Sequence, residues 1–346
     1  MFRDLERDVR EFAFAVRCVG AHLLVAGPPT SPGSMSRVGR RIGPTYQSAA
    51  RCILYKGTQM IVMTGANGRL GRLVAKMLVK RGAASQVTLT SRDPAKIDDL
   101  AALGFRTVRA DFSDRESMHA AFTGATTALM ISMPGPIEER IPRHRNAFDA
   151  AKAARVGRLI YTSRVNPSYE SLYPFAKIHA FSESYLKSTG LTTTIVRNNE
   201  YIENVVKIVR EARDPGKLML PGATGKVAYI AVDEIAEILA TLLLEEGHAG
   251  KIYELNGPEA ISRADIASLV GEATKRATVA AAVNREEFAQ FLKGQGRPPF
   301  VVEMVKGLFD AIDAGEFAKV WPDAPRLLGR PSQSPREYFH KAFATA

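Results

Sequence analysis

Cysteine is scarce: the 346-residue chain has two, Cys18 and Cys52, and none from residue 60 onward. Over most of its length that excludes a disulfide framework, cysteine-ligated metal and thiol catalysis, and it suits a reducing, cytoplasmic setting. Also missing are the phosphate loop G-x-x-x-x-G-K-[ST], the zinc helix H-E-x-x-H and the nucleophile elbow G-x-S-x-G, while the six histidines form no metal-ligand pattern. No stretch reads as a transmembrane helix. Residues 18–36 carry no charge but hold Pro28, Pro29, Pro32 and three glycines. The start does not read as a convincing secretory signal either, because Asp4, Glu6, Asp8 and Glu11 crowd it and Arg17 interrupts the apolar part. Nor is there a run of basic residues interleaved with aromatics. Nine basic against four acidic residues in 1–59 carry +5 of the formal +11, and the remaining charge is scattered, so no nucleic-acid partner is expected.

What is present begins at Met60. Met60–Met63 reads as a short apolar strand, Gly65, Gly68 and Gly71 as a glycine-rich turn, and Leu70, Leu73, Val74, Met77 and Leu78 as the apolar stripe of a helix ending at Gly82. A strand, a glycine turn and a helix N-terminus form an anion site, since free N–H groups and the positive dipole end converge there. In a dinucleotide fold Gly65 permits the turn, Gly68 admits the pyrophosphate and Gly71 lets helix and strand pack closely.

The alternation continues. Strands are expected at Gln86–Thr90, Phe105–Arg109, Thr126–Ser132, Arg158–Thr162 and Leu191–Val196, separated by helices. One opens at Asp93-Pro94 with Asp93 as cap, another at a Ser113–Glu116 capping box, and a third runs from Pro174 to Ser188. Strand–helix alternation predicts an α/β fold: a Rossmann-type doubly wound parallel sheet with a smaller C-terminal α/β substrate lobe. The NAD(P)-binding domain is placed at 60–213 and the lobe, interleaved with it, at 214–346. Short strands are expected near 217–220, 227–230 and 252–255, with a largely helical end that includes a helix capped by Asn284. Residues 1–59 lack a lasting period and read as a disordered extension, with a helix over Leu5–Cys18 and an abrupt change of pattern at Met60 that would suit an upstream start.

The residue after the second strand selects the nucleotide. An acid there would bind a ribose 2′-hydroxyl, whereas Arg92, helped by Arg69, favours a 2′-phosphate and hence NADP(H) over NAD(H). Asp111 is a candidate for the adenine edge, and Ser132, Met133 and Pro134 for the nicotinamide ribose. Tyr173 and Lys177 have the Tyr-x-x-x-Lys spacing of a proton-donor pair, with Ser163 as a carbonyl polariser. Tyr173, however, follows Gly65 by only 108 residues.

TGANGRLG (64–71), SRDPAK (91–96), HRNAFDAAKAA (144–154), YTS (161–163), RNNEYIEN (197–204) and GKIYELNGPEAIS (250–262) occur in order, followed by EEFAQFL and LLGRP. In this set the chain resembles the NmrA-like branch of the atypical short-chain dehydrogenases, and within it the type 2 NAD(P)H:quinone oxidoreductases and triphenylmethane reductases. The resemblance spans nearly all of 60–340. It implies that Gly65, Asn67, Gly68, Arg69, Leu70, Gly71, Arg92, Ser132–Pro134, Thr162, Asn199, Tyr201 and Asn204 line the cofactor, with Tyr201 close to the nicotinamide. It also shifts the catalytic expectation from Tyr173 and Lys177 toward His179 and Asn198. The expected activity is NADPH-dependent reduction of quinones or similar conjugated small-molecule acceptors, in a cytoplasmic protein for which a homodimer is allowed. The alternatives are a non-enzymatic NAD(P)-binding redox sensor and, more distantly, a nucleotide-sugar epimerase or reductase.

Overall fold

The computed structural model describes residues 60–133, 135–210, 216–221 and 225–343. The extension 1–59, the helix expected within it, and Pro134 lie outside them. β1 (Ile61–Met63) is the buried axis of the sheet, and its alternation divides the core: Ile61 and Met63 face one layer, Val62 the other. Beside it run β2 (Val87–Ser91), β3 (Arg106–Arg109), β4 (Thr127–Met130), β5 (Arg158–Arg164), β6 (Thr193–Asn198) and β8 (Ile252–Leu255), all parallel, in the order β3-β2-β1-β4-β5-β6-β8. The central strands β1, β2, β4 and β5 are buried almost throughout, whereas the edge strands β3 and β8 are partly exposed.

One layer packs α1 (Arg69–Lys80) and α7 (Val232–Leu244) against Ile61, Met63, Leu129 and Ile160. α1 buries Leu70, Val74 and Leu78, the expected stripe. On the other face lie α3 (Arg115–Phe122), α4 (Ile137–Ala153) and α5 (Pro174–Ser188), closing over Val62, Ala128, Leu159 and Tyr161 with Phe122, Phe148 and Leu186. A third cluster gathers α6 (Ile202–Arg210), β7 (Lys217–Leu220), α8 (Arg263–Thr274), β9 (Val279–Ala282), α10 (Pro299–Asp313) and α12 (Pro335–Phe343) around Ile266, Phe309, Phe317 and Phe339. The C-terminal half is threaded through both parts, since α7 and β8 complete the main sheet and its cover.

Several local expectations are corrected. Asp93 is no cap: its side chain makes no capping bond, and Pro94–Ile97 is a 3₁₀ turn ahead of a one-turn helix, α2 (Asp98–Ala101). The loop is instead closed by Ser91, whose hydroxyl bonds the Asp93 carbonyl and amide. Asp114 rather than Ser113 caps α3, accepting from the Ser117 amide, because Ser113 is held back on Asp111. Residues 227–230 form isolated bridges to Ile261 and Tyr201 instead of a strand. β9 was not foreseen; it pairs with β7 in a separate parallel two-stranded sheet. Between these two helix-rich stretches α9 (Arg285–Gly294) is capped by Asn284 as expected, and α11 (Asp323–Leu328) packs beside α7.

Candidate active site

Strand order reverses between β1 and β4, and the loops leaving their C-terminal ends part there to open a crevice, the place where doubly wound sheets bind ligands. A cleft of about 1110 Å³ starts at this switch point and is lined by Gly65–Leu70 on one side and Ile131–Met133 on the other. The three glycines differ in their reasons. Gly65 is left-handed at φ +72°, and a Cβ there would press on Ile131 at 3.1 Å. Gly71 admits no Cβ at all, which would lie 2.2 Å from the Gly65 carbonyl oxygen. At Gly68 the amide closes the turn onto the Gly65 carbonyl at 3.0 Å, and the residue caps α1. The first turn of α1 contains no acid, so its N–H groups and dipole face the cleft without competition.

Arg72, unremarkable in the sequence, ties the turn to the next loop: it donates to Asp99 (2.7 Å), the Asn67 side chain (3.1 Å) and the Lys96 carbonyl (2.6 Å). Beyond β2, Arg92 is exposed and lines the cleft with Asp93 and Lys96. The Asp93 carboxylate lies 3.9 Å from Lys96, so the acid beside Arg92 is already offset. Arg69 also lines the cleft, but its guanidinium is 3.7 Å from Glu203. Burial works against a charged Asp111, yet two hydrogen bonds from Ser113 and the nearby Arg92 hold its carboxyl below the usual range. Across the cleft six cationic lining residues meet three acidic ones, a balance suited to a polyanionic nucleotide.

Past Ser132 the lining turns aromatic and buried. Arg140 donates to the Ser132 hydroxyl at 2.9 Å and faces the His179 Nε2 at 3.4 Å. Because a guanidinium can only donate, Nε2 accepts, and Nδ1–H donates to the Tyr161 hydroxyl at 2.8 Å. His144 continues the network through Ser182 (2.8 Å) and Ser132 (3.3 Å). Burial, reinforced by Arg140, pushes His144 down to about 3 and His179 well below its usual value, so both are neutral at physiological pH.

Of the expected catalytic groups, Tyr173, His179 and Asn198 line the cleft together; Lys177, on α5, does not. Burial raises the Tyr173 hydroxyl well above its usual pKa, and its ring lies under the Arg164 guanidinium at 4.3 Å. Ser163 lines the cleft, but its hydroxyl donates to Glu183 at 2.6 Å, which removes it as a carbonyl polariser. Asn198 is buried at the end of β6, its Nδ2 3.5 Å from the Tyr201 hydroxyl and its Oδ1 without a partner among the described residues. Burial pushes Tyr201 up to about 12. Thr162, Tyr201 and Asn204 line the cleft as expected. The Asn199 side chain lines it too, while bonding the Phe317 carbonyl and the Glu200 amide. Glu203 within the same motif caps α7 by accepting from the Val232 amide. Arg140 and Arg164 escaped the sequence reading, because single charges in a mixed helix or at strand ends carry no pattern; Glu200 lay within the RNNEYIEN motif but was given no role of its own.

A family model described as NAD(P)H-binding matches residues 65–246. Quinone oxidoreductase 2 of Escherichia coli (strain K12) is 31% identical over 273 residues, covering 79% of this chain and 95% of that protein. Among solved structures, Citrobacter sp. triphenylmethane reductase complexed with NADP(H) superposes with a TM-score of 0.77 at 30% identity, over 82% of this chain and 99% of that one. The Escherichia coli NADPH-dependent quinone oxidoreductase complexed with NADPH gives 0.78 at 31%, over 82% and 100%. With its glycine cradle at the switch point and its match across the whole sheet, the chain belongs to the NAD(P)H-binding, NmrA-like family of oxidoreductases.

Proposed function

We propose that the protein is an NADPH-dependent oxidoreductase that reduces quinones or similarly flat, conjugated acceptors by hydride transfer. The observation that carries this is the continuity of one cleft, from the α1 N-terminus and Arg92 past Ser132 to Asn198, Tyr173 and His179. Its first half fits a dinucleotide: the glycine cradle accepts a pyrophosphate on backbone N–H groups, and Arg92 meets a 2′-phosphate. Its second half is enclosed and aromatic, as a planar acceptor requires. When bound, the nicotinamide supplies the hydride.

The chain's own residues orient and enclose. Gly65, Asn67, Gly68, Arg69, Leu70 and Gly71 hold the phosphates, with Arg92 and Asp111 at the adenosine end. Ser132, Met133, Pro134, Thr162, Asn199, Tyr201 and Asn204 serve the nicotinamide end. Asn198 offers its free carboxamide oxygen to the bound molecules. His179, with both ring nitrogens engaged, acts as a positioning residue for Arg140. We assign no proton transfer to Tyr173 and Lys177: the hydroxyl is buried with a raised pKa and the lysine lies outside the cleft lining. The region 214–346, interleaved with the NAD(P)-binding domain of 60–213, supplies the substrate lobe. Among the described residues no helix is long and apolar enough to cross a membrane, and a cytoplasmic enzyme supplied with NADPH fits the chemistry. A homodimer is allowed.

Arg92→Asp tests the nucleotide assignment. Removing a charge-assisted contact and adding repulsion is expected to weaken NADPH by roughly 30-fold or more, while NADH changes less than about threefold. Isothermal titration of the parent protein and the variant reads both. Equal affinity of the parent for the two nucleotides would refute the NADPH assignment.

A further inference from the structure

Arg140 is 3% exposed and lines the cleft, yet its Nε and Nη1 have no hydrogen-bond partner among the described residues. Its third nitrogen meets only neutral groups, the Ser132 hydroxyl and the His179 ring. The nearby Arg164 is matched by Glu200 at 2.7 Å; for Arg140 no described carboxylate lies within salt-bridge distance. The guanidinium stacks on Phe175, 4.1 Å from its centroid, and that ring also lines the cleft. A buried arginine keeps its charge, and an uncompensated buried charge with open donors is costly, so donors held in this way suit an anion.

We propose that the acceptor carries an anionic group, a carboxylate, sulfonate or phosphate, that docks on Nε and Nη1 of Arg140 while its conjugated part occupies the cleft beside Phe175. This rests on reading the cleft as a hydride-transfer site and narrows the class of acceptor. The cofactor's own phosphates do not fill the role. The glycine turn and Arg92 serve them on the β1–β2 side, whereas Arg140 is held by Ser132 beyond β4 and by Phe175 and His179 on α5. Docking an anion neutralises Arg140 without disturbing the Tyr161–His179–His144 network behind it. The same arrangement disfavours cationic acceptors, which would meet the unmatched Arg140 with like charge.

The test needs no turnover, so it stands apart from whether the protein is a reductase. Protein loaded with NADP⁺ is titrated calorimetrically with 2-naphthalenesulfonate and with the neutral 2-naphthylmethanol. The sulfonate is expected to bind roughly 10- to 100-fold more tightly, the range for hydrogen bonds to a charged group. Arg140→Met abolishes the preference and Arg140→Lys keeps part of it, with NADPH affinity within about threefold of parental in each. Equal affinities in the parent would overturn the proposal, and that comparison holds even if Arg140→Met does not fold. A preference that survives in folded Arg140→Met would also overturn it, as would loss of NADPH affinity with the sulfonate-to-alcohol ratio unchanged, which would assign Arg140 to the cofactor.

Discussion

Gly71→Ala is expected to cost about 3 kcal/mol of stability and to abolish NADPH binding, although it adds one methyl group. The added Cβ would lie 2.2 Å from the Gly65 carbonyl oxygen, 2.8 Å from the Ala66 Cα and 2.9 Å from the Gly65 carbonyl carbon, all backbone atoms of the turn itself. No rotamer relieves that contact. α1 must move off β1 or the turn must open, and either loses packing around Leu70 and Val74 as well as the N–H groups that meet the pyrophosphate. Gly82→Ala is the matched control. Its φ of +67° is glycine-like, unlike that of helical Gly71, but nothing lies within 4 Å of a Cβ, so only about 1 kcal/mol of backbone strain is expected. Urea unfolding of both variants measures the difference; a parental midpoint for Gly71→Ala would mean that strand and helix are not packed as described.

Arg197→Met is expected to cost about 1.5–3 kcal/mol, the scale for hydrogen bonds to charged groups, since the guanidinium and both its carboxylate partners are part-buried. The guanidinium spans three elements, donating to Glu183 on α5 through Nε (2.9 Å) and Nη2 (2.5 Å) and to Glu254 on β8 through Nη1 (2.7 Å). Burial raises the Glu254 pKa even with Arg197 present. Without the arginine Glu254 loses its cation and is driven further toward protonation. A carboxyl whose folded pKa exceeds its unfolded value adds stability below the unfolded value, near pH 4–5, and loses it as pH rises through the folded one. The variant should therefore recover part of its loss between pH 7 and pH 5, and Glu254→Gln in the same background should restore some at pH 7. A pH-independent deficit, or none, would show that the cluster does not hold α5 to the edge of the sheet.

The sheet was legible because its signals are local. Each strand is a short apolar run, each crossover helix a 3.6-period stripe, and the glycine spacing marks the switch point before any contact is known. The cofactor half of the cleft followed, since the Gly65–Gly71 turn and Arg92 belong to contiguous motifs. The acceptor half did not. Arg140 sits in IEERIPRHRN, where it looks like one more solvated charge, and only the packing of α4 against α5 shows that it is buried beside His179. Arg164 and Glu200 are 36 positions apart and become a pair through β5–β6 register. Ser163 looked available for substrate, but its hydroxyl donates a hydrogen bond to Glu183, 20 residues on. Asp93 followed the rule for a helix cap, but the helix it should have capped begins as a 3₁₀ turn. β9 is three alanines and a valine at an edge, too weak a pattern to mark a strand.

Oxidation of 4-deuterated and unlabelled NADPH by the purified full chain, across quinone, azo and triphenylmethane acceptors, tests the central claim most directly. The account predicts turnover on the order of 1–10³ s⁻¹ on at least one quinone, slowed by the label in single-turnover experiments, and weaker with NADH at the same concentration. Tight NADPH binding without oxidation on any acceptor would contradict it and identify a nucleotide sensor built on a reductase fold.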